Sequence, residues 1–334
     1  MAIDSSLNST SERNLHYDGW RGMAIALVLL SHFINISGFY AGKFGVAAFF
    51  VLSGALMSSI LFVKRMPLAT FYKRRISRIF PVFFIYVSIV YFYAYLTSSA
   101  EFNHYLYTLS FLRSYFPVLP DMWSTDIPIN HLWSLNVEEH CYLFLGLVTL
   151  IKSLREKEYL LLIFLGLAAT ILFGVYVHSP EKAPPLFQIR TEVISSFLLL
   201  SAGYFLVKNR IDPYIQNWMP LLAFALASMC FLANLAWYYP FMIAPILLVF
   251  SFHHLSKFPK YLLAVLSSTP LRMLGIWSYS IYLWQHPIYF FYIEHATNPS
   301  FLHKIGLLTC ALGLGIFSYY LIENPIRKFL NARW

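Results

Sequence analysis

The chain has 334 residues, of which 59% are hydrophobic, 19% aromatic and only 12% charged. A soluble domain carries about twice that charge, so a water-soluble enzyme is excluded and an integral membrane protein is expected. The net charge of +9 reads as the basic bias of membrane loops together with an anionic ligand, and not as a nucleic-acid footprint.

The first twenty residues are polar and lack an apolar core, so no cleavable signal peptide is expected. The first spanning helix then serves as the targeting signal. That helix is predicted over 22–40. Nine more apolar segments of about twenty residues, the length that crosses a hydrocarbon core, follow at 44–63, 79–97, 131–151, 159–177, 191–207, 219–235, 241–255, 271–292 and 304–322. The seventh and eighth are short, and only Ala236-Trp-Tyr-Tyr-Pro240 separates them. The stretch 102–119 is partly apolar but contains Asn103, His104 and Arg113. It is read as interfacial or re-entrant. The expected fold is an all-α integral membrane bundle of about ten transmembrane helices. It forms a single membrane-embedded domain over 1–334, with no appended soluble domain and no internal repeat.

Charge sets the orientation. With the N-terminus in the cytoplasm, nineteen of the 24 Lys and Arg fall on the cytoplasmic side, as the positive-inside rule requires. Lys43, Arg113, Lys182, Arg190 and Lys304 remain outside. Were 102–119 to span, every later loop would change sides and this bias would collapse. Both termini are therefore expected in the cytoplasm.

Four stretches carry chemistry. Asp18-Gly-Trp-Arg-Gly22 runs into an apolar helix that bears His32. Arg21 and His32 are eleven residues apart, close to three helical turns, which sets them on one face roughly 16 Å apart. An ionisable group at that depth in a membrane marks a functional site. The second stretch, Phe71-Tyr-Lys-Arg-Arg-Ile-Ser-Arg-Ile-Phe-Pro81, is read as a cytoplasmic loop with four cations in six residues. It anchors anionic lipid headgroups or cradles a phosphorylated ligand through its guanidinium groups.

The third stretch, Asn130-His-Leu-Trp-Ser-Leu-Asn-Val-Glu-Glu-His-Cys-Tyr142, opens the fourth span and buries two adjacent acids. Glu138 and Glu139 point about 100° apart on a helix. They serve either catalysis or a structural clamp between helices. Ligands spaced for a metal, as in H-E-x-x-H, are absent, so no metal is expected. Cys141, Cys230 and Cys310 sit in apolar segments at unrelated spacings and read as small packing residues. In the fourth stretch, Leu274 to Ile288, the small residues Gly275, Ser278 and Ser280 permit close helix approach and Pro287 predicts a kink. His286 is read as an interfacial hydrogen-bonding group near the outer end of its span.

Together these stretches resemble the membrane acyltransferase-3 family, whose members acylate sugars and other hydroxyl-bearing acceptors. Asp18-Gly-Trp-Arg-Gly22 with His32 resembles the family's D-G-x-R-G opening. Phe44-Gly-Val-Ala-Ala-Phe-Phe-Val-Leu-Ser-Gly54 is similar to G-V-[DE]-x-F-F-V-[IL]-S-G, and Arg74-Arg-Ile-Ser-Arg78 with Pro81 to R-R-x-x-R-I-x-P. His131-Leu-Trp-Ser-Leu-Asn-Val-Glu-Glu139 resembles H-x-W-S-L-x-V-E-E. Ser278-Tyr-Ser-Ile-Tyr-Leu-Trp284 and Glu323-Asn-Pro-Ile-Arg327 resemble its last two blocks. Two positions depart from the pattern: Ala47 stands where the family has an acid, and Gln285 stands where it often has a histidine, with His286 one residue later. One residue on a helix is a rotation of about 100°, so His286 does not inherit that role from the resemblance.

The resemblance implies an O-acyltransferase, most simply an O-acetyltransferase, with acetyl-CoA or another acyl-CoA as donor and a glycan or lipid-linked sugar as acceptor. It implies a bacterial inner membrane. His32 is then the base for the acceptor hydroxyl, with Glu138 or Glu139 holding its imidazole. Arg21, Arg74, Arg75 and Arg78 grip the donor's phosphates. Asn35, expected three residues along the same helix, orients the ring or the substrate, and His131 and Trp133 contact the acceptor. A non-enzymatic transporter of the acyl donor or of a sugar lipid is the competing reading, because buried polar groups among many spans suit it as well.

Overall fold

The computed structural model describes the backbone of residues 3–97, 101–294 and 299–334, with side chains described from residue 15 onward apart from Glu294. Among these residues the regular structure is helical, apart from an isolated antiparallel bridge between Phe39 and Leu232.

Helix α1 (Ile3–Leu29) runs unbroken through Asp18–Gly22 and ends in a π-turn, Leu30–Ile34, that carries His32. The wide turn is closed by the Asn35 N–H on Leu30 O at 2.9 Å. Helix α2 (Ala41–Ser58) returns beside α1 and also ends in a π-turn, Ser59–Val63. Helix α3 (Leu68–Leu96) begins at Pro67, so the basic stretch read as a loop forms the first turns of a helix, with Pro81 inside it. Lys and Arg are good helix formers, and nothing between Phe71 and Phe80 interrupts the pattern. This helical start puts Arg74 and Arg78 one turn apart, on one face.

Helix α4 (Phe102–Leu109) is all the helix that the 102–119 stretch contains, and eight residues cannot cross a bilayer. A 3-10 turn at Asn130–Leu132 feeds α5 (Trp133–Val148), which is followed by α6 (Glu158–His178), α7 (Thr191–Ile194) and α8 (Ser196–Ile211). Next come α9 (Met219–Met229), α10 (Tyr239–Met242), α11 (Ala244–His253) and α12 (Lys260–Leu266). The chain closes with α13 (Thr269–Tyr289), α14 (Phe301–Ser318) and α15 (Asn324–Arg333).

Among the described residues, five helical stretches are long and apolar enough to cross a membrane: Ala41–Val63, Leu68–Leu96, Glu158–His178, Thr191–Tyr214 and Phe301–Arg333. The spans expected at 219–235 and 241–255 contain much shorter helices, of 11 and 10 residues. They reach only about 17 and about 15 Å of a core about 30 Å thick. Turn structure from Phe231 to Tyr238 ends the first, and Pro245 opens the second.

Helix contacts are made by backbone approach and buried hydrogen bonds, as expected where lipid removes the hydrophobic drive between helices. A Cβ on Gly22 would lie 1.8 Å from Leu271 O, and one on Gly275 would lie 1.9 Å from Asp18 O. Gly22 of the first motif and Gly275 thus let α1 and α13 lie against each other. Buried Trp20 donates from Nε1 to Ala48 O at 3.0 Å, which ties α1 to α2. Ser58 and Ser201 donate to Ala202 O and Val51 O, at 2.8 and 2.5 Å, and tie α2 to α8. Phe84, Phe92, Phe164, Ile171 and Phe317 are exposed on the outer faces of α3, α6 and α14, where an acyl-chain solvent suits them.

Candidate active site

Two cavities meet inside the bundle. The first, of about 640 Å³, is lined by Arg21, Arg74, Arg75, Arg78 and Arg327, with Asp18 and Glu138 as its carboxylates. Arg21 on α1 donates to Asp18 Oδ1 at 3.0 Å, one turn back. The Arg75 guanidinium lies over the Tyr142 ring at 4.0 Å and donates to Met57 Sδ at 3.0 Å. Its buried Nε has no hydrogen-bond partner among the described residues. Arg327 on α15 donates to Asn324 Oδ1 at 3.2 Å and lies 3.8 Å from Glu323. Five guanidinium groups facing two carboxylates leave this cavity cationic, and the planar fork of arginine suits phosphate. The four arginines singled out from the sequence all line it. Arg327 joins them from the last helix, where the sequence marked it only as the end of the Glu323-Asn-Pro-Ile-Arg327 block.

The second cavity, of about 310 Å³, is lined by His32, His131 and His286, with Ser31, Lys43, Asn130, Trp123, Trp133 and Gln188 among its other walls. His32 stacks on Tyr289 with centroids 4.3 Å apart, and the His131 and His286 rings are 4.2 Å apart. The His32 and His286 centroids are 5.9 Å apart. Gln285 fixes the tautomer of His32. Its Nε2 donates to Tyr282 O at 3.3 Å, so its Oε1 faces His32 Nδ1 at 2.8 Å and accepts from it. The proton then resides on Nδ1, and Nε2 keeps its lone pair.

Val46, Phe50 and Tyr282 line both cavities. Tyr282 is held in this partition by its hydroxyl, which donates to His131 O at 2.5 Å and lies 2.6 Å from Ser134 Oγ.

Several expectations are corrected. Glu138 and Glu139 do not hold the His32 ring: Ser53 Oγ donates to Glu138, which lines the basic cavity, and Gln285 takes the orienting place. The reason is depth. Glu138 lies seven residues beyond His131 on a descending helix, roughly 10 Å nearer the arginines. Glu139 Oε1 is buried without a hydrogen-bond partner among the described residues. Asn35 does not accompany His32 along a helix, because the helix has ended. It sits exposed at the left-handed cap of the π-turn, with φ 57°, and lines neither cavity. His286 is 4% exposed and packed against His131, and neither of its ring nitrogens has a hydrogen-bond partner among the described residues, so the expected hydrogen bond is not made. His131 and Trp133 do line the cavity of His32, and so does Ala47.

The arrangement sets a cationic chamber beside a chamber with a tautomer-fixed imidazole, so that an anion could be held next to a proton acceptor.

A family described as an acyltransferase domain matches residues 14–323. The peptidoglycan O-acetyltransferase OatA of Listeria monocytogenes is 27% identical over 353 residues, covering 94% of this chain and 56% of the relative. The putative peptidoglycan O-acetyltransferase YrhL of Bacillus subtilis is 28% identical over 350 residues, covering 93% and 54%. The O-acetyltransferase OatA of Staphylococcus aureus is 28% identical over 371 residues, covering 93% and 57%. The chain spans about half the length of the curated relatives it matches. No solved structure matches it. A match that takes in Arg21, His32, the α3 arginines, His131 and Gln285 reaches both cavities, and this integral membrane chain belongs to the acyltransferase-3 family.

Proposed function

We propose that this protein is a membrane O-acetyltransferase that moves an acetyl group from acetyl-CoA in the arginine cavity to a hydroxyl of a glycan or lipid-linked sugar in the histidine cavity. The observation that carries this reading is that the two cavities abut along Val46, Phe50 and Tyr282. A donor gripped by its phosphates can then present its acyl end at that partition. The names of the relatives from Listeria and Bacillus, which specify peptidoglycan, favour a cell-wall glycan as acceptor.

In this mechanism Arg21, Arg75, Arg78 and Arg327 hold the phosphate groups of the donor, and Arg74 adds charge at the exposed rim. His32 Nε2 takes the proton as the acceptor oxygen attacks the thioester carbonyl, and Gln285 stabilises the resulting imidazolium through Nδ1. The C–S bond breaks, and His32 returns the proton to the departing thiolate. Positioning two substrates against one base supplies much of such a rate enhancement.

The topology that accompanies this reading has ten crossings, both termini in the cytoplasm and a bacterial inner membrane. It is supported by the nineteen basic residues that share one side in that arrangement. The arginine cavity then opens to cytoplasmic acyl-CoA, and the histidine cavity faces outward. The shortened α9 and α11 cross where the bilayer yields to them.

The test is radiolabelled acetyl-CoA supplied to one face of proteoliposomes, with peptidoglycan fragments on the other. Label covalently attached to the glycan supports the enzyme. Label that crosses unattached establishes the transporter instead.

A further inference from the structure

We infer that Lys43 selects an acceptor that carries a negative charge. The inference rests on the reading of the histidine cavity as the acceptor site and deepens it. That cavity has one lysine and no Asp or Glu in its lining. The Lys43 ammonium is placed at the rim, 4.6 Å from the Tyr40 ring centroid and 5.9 Å from that of Phe241, contacts that orient a cation without neutralising it. No carboxylate lies within ion-pair distance of it among the described residues. Ala47, one turn along α2 from Lys43, lines the same cavity, so the place where a neutralising acid could stand at i+4 holds a methyl group.

A second observation points independently to a ligand. Asn130 Oδ1 and both ring nitrogens of His131 and His286 are buried and have no hydrogen-bond partner among the described residues. All three residues are more than nine-tenths buried and line this cavity. An unsatisfied buried polar atom is costly, so five around one cavity suit a polyhydroxylated ligand that meets them through small side-chain adjustments. Trp133 and the half-exposed Trp123 provide flat faces for a sugar ring. Lys43 and His32 line the same cavity, and the segments that bear them come together at Gly42 and Ser31, where a Cβ on Gly42 would lie 2.9 Å from Ser31 Oγ. An anion on the acceptor, a ring carboxylate or the phosphate of a sugar lipid, therefore reaches Lys43 while a hydroxyl of the same ligand reaches His32.

The experiment uses the full chain in lipid nanodiscs. Lys43 is labelled with an amine-reactive acetyl ester and quantified by mass spectrometry, in the presence of matched probes. One pair is p-nitrophenyl glucuronide against p-nitrophenyl glucoside. The other is undecaprenyl-diphosphate N-acetylglucosamine against p-nitrophenyl N-acetylglucosaminide. At least one anionic probe is expected to protect Lys43 about tenfold more effectively than its neutral partner. Protection by the glucuronide assigns a ring carboxylate, and protection by the lipid diphosphate assigns the phosphate. Binding of the protecting probe in radiolabelled form is expected to weaken about tenfold in Lys43→Gln, to recover in Lys43→Arg and to fall further in Lys43→Glu. Equal protection by charged and neutral probes, or a charge preference that survives Lys43→Gln, overturns the inference. Selective protection without any acetyl transfer leaves the charge-reading site standing and removes the acetyltransferase reading instead.

Discussion

His32 and Gln285 are 253 positions apart in the chain, yet their side chains meet at 2.8 Å. The contact joins the π-turn after α1 to the last full turn of α13, and it leaves His32 Nε2 as the free, basic nitrogen. Gln285→Leu removes the acceptor for Nδ1–H, and kcat is expected to fall roughly ten- to hundredfold, in the range of general-base positioning. KM for acetyl-CoA should stay near its original value. Gln285→Glu keeps an oxygen at Nδ1 and should retain most activity. Steady-state kinetics on the three proteins check this, and a Leu variant as fast as the parent would refute the orienting role.

The separation of the cavities makes binding and catalysis separable. His32→Ala should lower kcat by about two to four orders of magnitude while the Kd for acetyl-CoA is unchanged, because no arginine of the donor cavity touches the ring. Isothermal titration of the inactive protein with acetyl-CoA decides this. Lost donor binding would show that His32 belongs to the donor site.

Arg327 is the test of the arginine cavity itself. A charge-assisted hydrogen bond is worth about 1.5–3 kcal/mol, so Arg327→Leu or Arg75→Leu should raise KM for acetyl-CoA roughly ten- to hundredfold, with a smaller change in kcat. Added salt should weaken donor binding in the parent more than in either variant. KM values that do not move would remove the donor-binding role and leave Arg75 with lipid anchoring.

Two glycines should behave oppositely. A Cβ on Gly275 meets Asp18 O at 1.9 Å, whereas one on Gly306 meets nothing within 4 Å. Gly275→Ala must push α1 from α13 and should cost about 1–3 kcal/mol, read as a lowered Tm in detergent, together with reduced activity because Gln285 rides on α13. Gly306→Ala in α14 should leave Tm unchanged or raise it, since glycine in a helix costs about 0.5–1 kcal/mol relative to alanine.

Much of the lining of the two cavities was legible in the chain before any fold was known. Arg21, Arg74, Arg75 and Arg78 stood out because charge is rare in an apolar sequence, and all four line one cavity. His32 was legible for the same reason, His131 and Trp133 through the resemblance of their motif, and the three share the other cavity. Glu138 and Glu139 were equally visible and were assigned to the wrong partner. A sequence shows that an acid lies within an apolar segment but not how far along the neighbouring helix its counterpart stands. Gln285 carried little signal, since a neutral amide stands there only as a departure from the family's histidine, and His286, before a proline near a helix end, read as an interfacial group. Asn35 was misplaced because nothing in Leu30–Ile34 announces that the α-helix widens into a π-turn and stops.

Composition alone determined that this protein lives in lipid and is helical, because only helices or closed barrels satisfy their backbone there and the chain's apolar runs have helical length. Local spacing determined which cations act as a group. Which imidazole is oriented by which partner, and that two chambers share a wall at Val46, Phe50 and Tyr282, was decided only in three dimensions. Those relationships depend on how deeply glycine lets α1 sink against α13, and that is a property of two surfaces in contact, which neither segment encodes alone.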